Sequence, residues 1–246
     1  MFFLKPLSHP SMTDAKLLPS HIRFWIFGAS VASLSHEFVQ AQFVTILWGG
    51  LLSKYTLAIG IFILALGLGA IFYPKKTTAR VAFFWQQLGV GILGLIFPWA
   101  LLWVGTHLAQ GIAILFSAFL IFLVGFVSGF EFPLLSDLVA QPSSSADKRR
   151  QAFFQLMQID YYGMALASIF IPVFAFRHFG VIETSLCVVS GNILIALSCY
   201  FQFRTDFTRL QKKLFPVLVL AALGFVLFFY LRMEWVVSVA QRWLTG

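Results

Sequence analysis

Seven unbroken apolar runs dominate the chain, at about 22–40, 55–73, 81–104, 108–130, 155–176, 182–203 and 214–232. Each approaches or exceeds the roughly 20 residues that a helix needs to cross a hydrocarbon core. The runs are filled with Leu, Ile, Val, Ala and Phe and lack the period-two alternation of a membrane β-barrel. They are therefore read as helices, whose backbone groups bond internally. The fold class predicted is all-α: a polytopic membrane helix bundle of about seven transmembrane helices plus interfacial or re-entrant segments. Between the first two runs, Glu37 to Lys54 (EFVQAQFVTILWGGLLSK) mixes Gln40 and Gln42 with Phe43, Ile46, Leu47 and Trp48. That mixture predicts an interfacial or re-entrant helix broken at Gly49 and Gly50, with an extra crossing as the less favoured alternative.

The polar intervals organise the rest. Residues 1–21 read as a cytoplasmic N-terminal extension, 22–232 as the membrane bundle, and 233–246 as an interfacial C-terminal helix. In that last segment Val236, Val239, Ala240 and Trp243 recur at helical spacing, and Trp235 and Trp243 suit the headgroup region. The stretch 140–150 (AQPSSSADKRR) divides four helices from three; it is a solvated connector or a hinge and docking loop. With the N-terminus inside, thirteen of the 17 Lys and Arg residues fall in inner connections and four in outer ones. The excess of positive charge on one side predicts a cytoplasmic N-terminus and an external C-terminus.

Composition agrees. Of 246 residues 60% are hydrophobic and 11% charged, and the mean hydropathy is +0.89, whereas soluble domains run to about 45–50% apolar and about 25% charged. An ordinary soluble globule is excluded, and the spans leave no room for a second soluble domain. The net charge of +8 does not point to nucleic acid, because the basic residues sit between spans, as in Lys75, Lys76 and Arg80 or Lys148, Arg149 and Arg150. Cys187 and Cys199 share one apolar run and read as reduced and structural. There is no Gly-rich phosphate loop, no C-x-x-C and no G-x-S-x-G, and His36 and Glu37 are not followed by the second histidine of H-E-x-x-H. No catalytic residue, cofactor or metal site is expected.

Acidic groups inside spans are costly and raise a functional question by default. Three qualify. Asp160 lies about five residues into the fifth run and Glu131 ends the fourth, which puts both on the cytoplasmic side, able to face one cavity or share a proton. Glu37, at the far end of the first run beside His36, is expected on the outer side. The candidates for binding a substrate or proton are Asp160, Glu131, Glu37, Asn192 and Tyr161. Structural readings stand beside them: Asp160 accepting from Tyr161, Tyr162 or Gln158, His36 and Glu37 as an interfacial polar pair, and Gln86, Gln87 and Asn192 as contacts between helices. Small residues four apart (Gly28 and Ala32, Ala65 and Gly69, Gly125 and Gly129, Gly163 and Ala167) let helix backbones approach. Pro98 and Pro172 predict kinks.

Four stretches resemble the membrane domain of the bacterial multi-pass spermidine-synthase-like (polyamine aminopropyltransferase-like) proteins: GASVASLSHE (28–37), LAIGIFILALGLGA (57–70), GFEFPLL (129–135) and DYYGMALASIFIPVFAFRHFGVIETSLCVVSGNILIAL (160–197). The resemblance covers roughly residues 22–232 and points to Glu37, Glu131, Pro133, Asp160, Gly163, Gly180 and Asn192. It implies a bacterial inner membrane location. The family's soluble synthase domain, with its Gly-rich loop and acidic polyamine-binding residues, has no counterpart here, so this chain by itself is not expected to transfer aminopropyl groups. Two functions follow as expectations. One is a module that binds or moves a small organic cation such as a polyamine. The other is a non-catalytic anchor or accessory subunit of a larger membrane complex, with the lipid bilayer and a protein as partners.

Overall fold

A computed structural model describes residues 18–73, 78–140, 146–232 and 238. Most of the expected N-terminal extension, the centre of the 140–150 connector and, apart from Ser238, the expected C-terminal helix lie outside them. Among the described residues the regular structure is entirely helical. The helices are α1 (Ser20–Trp48), α2 (Leu51–Phe72), α3 (Ala79–His107), α4 (Gln110–Ser128), α5 (Glu131–Val139), α6 (Ala146–Phe170), α7 (Phe176–His178), α8 (Gly180–Gln202) and α9 (Arg209–Leu231). A π turn, Ile171–Ala175, joins α6 to α7. Counting α4 with α5, and α6 with α7, gives seven rods.

Six of these rods are long and apolar enough to cross a membrane: Leu52–Phe72, Ala79–His107, Gln110–Val139, Ala146–His178, Gly180–Gln202 and Arg209–Phe228. The seventh, α1, is more polar, and its position explains how it tolerates this. It packs against α2, α3, α6 and α8, which bury Ser30, Ser35, His36, Glu37, Gln40 and Thr45 along it. Its neighbours, rather than lipid, cover its polar face.

Three expectations are corrected here. The segment 37–54 is not a separate re-entrant or interfacial helix. Through Trp48 it continues α1, because the glutamines and Glu37 are sheltered inside the bundle. The break does fall at Gly49 and Gly50, both in the left-handed region at φ 66° and 69°, where a side chain would be strained. Glu131 does not end the fourth rod: the chain turns at Gly129 and Phe130 and continues as α5 to Val139. Pro133 is accommodated there because it falls in the first turn, where no helical N–H bond is lost. The fifth rod starts at Ala146 rather than near 155, since Lys148, Arg149 and Arg150 extend the helix with exposed side chains.

Small residues set the helix crossings. A Cβ on Gly125 would stand 2.8 Å from the Phe62 carbonyl oxygen, and one on Gly69 or Gly129 would overlap the backbone of the facing helix. This locks α2 onto α4. A Cβ on Gly163 would come within 2.7 Å of the Phe27 carbonyl oxygen, which brings α6 onto α1. The aromatic core at one end stacks Tyr200 on Phe215 (3.7 Å between centroids) and sets Phe84 edge-on to Phe207 and Phe215. At the same end Arg80 pairs with Asp206 at 3.1 Å, and Tyr73 donates to Asp137. At the other end Trp48 Nε1 donates to Ser117 Oγ at 3.2 Å. Thr208 and Gln211 cap α9 reciprocally.

Candidate functional site

A cavity of about 330 Å³ opens between α1, α2, α6 and the α4–α5 turn. Its lining contains three carboxylates, one from each of three helices: Glu37 on α1, Glu131 at the start of α5 and Asp160 on α6. Ser30, Ser33 and Ser128 add hydroxyls, and Phe62, Leu66, Met157 and Met164 supply apolar wall.

The helices place these groups by spacing. On α1, Ser30, Ser33, Leu34 and Glu37 fall at three- and four-residue intervals and share one face. On α6, Met157, Asp160, Tyr161 and Met164 do the same. Asp160 stands near the middle of the 33-residue rod Ala146–His178, deeper along its helix than the sequence suggested. Its Oδ1 accepts from Ser30 Oγ at 2.5 Å, not from Tyr161, Tyr162 or Gln158. The close α1–α6 approach at Gly163, one turn away, makes that bond reachable.

Glu131 is buried, at 8% exposure, and its carboxyl faces Asp160 and the side-chain amides of Gln86 and Gln87 on α3. Gln87 Nε2 donates to Gln86 Oε1 at 3.0 Å. Glu37 is 9% exposed and stands near Tyr55 of α2. Among the described residues, none of the three carboxylates pairs with a lysine, arginine or histidine. Buried charges are normally paired, and in their ionised form these three carboxyls have no protein cation to match among the described residues. Ser128 sharpens the point. Its side chain is 2% exposed and lines the cavity, yet its Oγ has no hydrogen-bond partner among the described residues.

The cavity thus unites residues that the sequence separated. Glu37 shares it with Asp160 and Glu131 instead of belonging to a distinct outer site, because α1 is one long rod and Glu37 lies near its middle. Tyr161 is at the rim, 59% exposed. Asn192 is elsewhere: its Nδ2 meets His36 Nε2 at 2.8 Å in a buried contact between α8 and α1, beneath Gly94, whose Cβ would overlap the imidazole. Sequence reasoning missed Ser30, Ser33 and Ser128, since serines in an apolar run read as small packing residues. The available signal was their spacing, with Ser30 and Ser33 seven and four residues before Glu37. Among the described residues no cluster of His, Cys, Asp and Glu is arranged to hold a metal.

Comparison with known proteins adds a relative. A polyamine aminopropyltransferase of Oceanobacillus iheyensis is 22% identical over 198 residues, covering 79% of this chain and 38% of the relative. The chain is a distant homologue of that protein. It spans little more than a third of the relative's length. No family model matches, and no solved structure matches significantly.

Proposed function

We propose that this helix bundle binds a small organic cation such as a polyamine in the cavity lined by Glu37, Glu131 and Asp160. The observation that carries the reading is the convergence of three carboxylates from three helices on one cavity inside the helix bundle, with no protein cation beside them among the described residues. An ammonium group supplies the missing charge, and its N–H donors suit carboxylate oxygens and the unpartnered Ser128 hydroxyl. The volume lies at the lower end of ligand pockets, about 300–1,000 Å³, so the ligand is small. The relative's name, polyamine aminopropyltransferase, supports a polyamine as the cation.

Isothermal calorimetry of the full chain in mild detergent tests this, with spermidine as titrant. Saturable binding is expected. A hydrogen bond to a charged group contributes about 1.5–3 kcal/mol, so Asp160→Asn should weaken binding on the order of tenfold to a hundredfold without unfolding the protein. Absence of spermidine binding by the wild-type chain would overturn the reading.

A further inference from the structure

Resting on that cation-binding reading, we infer that the cavity is two-ended and takes a linear α,ω-diammonium, with one ammonium at Asp160 and Glu131 and the other at Glu37. Asp160 is tied to Ser30 by the 2.5 Å hydrogen bond, which fixes the first acidic end at the height of Ser30 on α1. Glu37 lies seven residues further along the same helix, about 10 Å at the helical rise. Because seven residues are almost two whole turns, both positions face the same way. Opposite them, α2 runs antiparallel after the Gly49–Gly50 break and lines the cavity from Phe62 to Ala70, a stretch of about 12 Å.

The wall between the two ends is mostly apolar, with the Ser33 hydroxyl on α1 as its polar group. Leu34 and Leu66 lie between the two ends, and Met157 and Met164 flank Asp160 on α6. Carboxyls at both ends with a largely apolar wall between them describe a linear diammonium and disfavour bare inorganic ions. Ser128, one turn before Glu131 and without a partner for its Oγ, provides an additional acceptor for ammonium N–H groups.

The experiment compares 1,8-diaminooctane, 1,4-diaminobutane and the monoamine 1-aminooctane by calorimetry on the full chain and on Glu37→Gln. For the wild type, 1,8-diaminooctane should bind at least tenfold tighter than both the short diamine and the monoamine. In Glu37→Gln the advantage over 1-aminooctane should collapse to within about twofold, while circular dichroism and thermal unfolding in the same detergent match the wild type and report an intact fold. If the long diamine keeps its advantage over 1-aminooctane in Glu37→Gln, or never has one in the wild type, the two-ended site is refuted while cation binding stands. If none of the three amines binds the wild type, the cation-binding reading itself falls.

Discussion

Two buried polar pairs have different consequences in this bundle. Ser30 and Asp160 meet at the edge of a cavity, where the carboxylate keeps a second oxygen for a ligand. His36 and Asn192 meet inside close packing, each 1% exposed, and have no access to the cavity. The second pair is therefore structural. Asn192→Ala leaves the imidazole Nε2 without its partner, which costs about 1–3 kcal/mol for a buried group, near the upper range of side-chain hydrogen bonds between membrane helices. Denaturation in detergent should show that loss, and spermidine affinity should stay within about twofold of wild type. A tenfold drop in affinity would return Asn192 to the binding site. The sequence marked Asp160, Glu131, Glu37 and Asn192 by one criterion, the expense of a polar group among apolar residues. That criterion finds buried polar groups but does not say which of them face each other. The partnership of Glu37 with the other acids depends on the tilt and length of α1, which hydropathy does not record.

At the scale of the helices, apolar runs located the rods because length and hydropathy are nearly sufficient for a membrane helix. Their ends were harder to place, since a helix continues past its apolar stretch wherever charged side chains can reach outward, as at Lys148 to Arg150, or polar ones are sheltered, as at Glu37 to Thr45. The π turn at Ile171–Ala175 contains Pro172, and a wider turn there accommodates the hydrogen bond the proline ring removes. Pro98, by contrast, sits within an α3 that stays helical from Ala79 to His107. Glycines separate two kinds of surface on α2. Gly69 faces α4 so closely that a Cβ would overlap the Phe126 carbonyl oxygen, whereas Gly60 and Gly67 have nothing within 4 Å of a Cβ position. Gly69→Ala should therefore destabilise the bundle by about 1–3 kcal/mol, the usual cost of overpacking, and Gly60→Ala by no more than about 0.5 kcal/mol. Thermal unfolding of the two variants in the same detergent checks this. Equal stabilities would mean that the α2–α4 contact is not close-packed.

At the scale of the whole molecule, the seven rods among the described residues alternate in direction, and the cross-rod contacts agree with that alternation. Tyr73 with Asp137 and Arg80 with Asp206 join connections at one end. Trp48 with Ser117 joins rods at the other. Continuing α1 to Trp48 does not change this parity, because the two-glycine break reverses the chain once. The end that carries Arg80, Lys148, Arg149, Arg150 and Arg204 also receives most of the basic residues counted along the sequence. The outward faces of the rods show Leu52, Ile71, Leu115, Leu220 and Leu231 at 68–81% exposure, an apolar surface suited to lipid. We expect the basic end to be cytoplasmic by the positive-inside rule. Single cysteines test it in a Cys187→Ser, Cys199→Ala background that retains the fold. Asp147→Cys, beside the basic run, should react with a membrane-impermeant maleimide only after the inner face is opened. Ala109→Cys, in the exposed turn between α3 and α4, should react from outside in intact cells. Reversed labelling at both positions would invert the protein in the membrane, and external labelling at both would break the alternation of the rods.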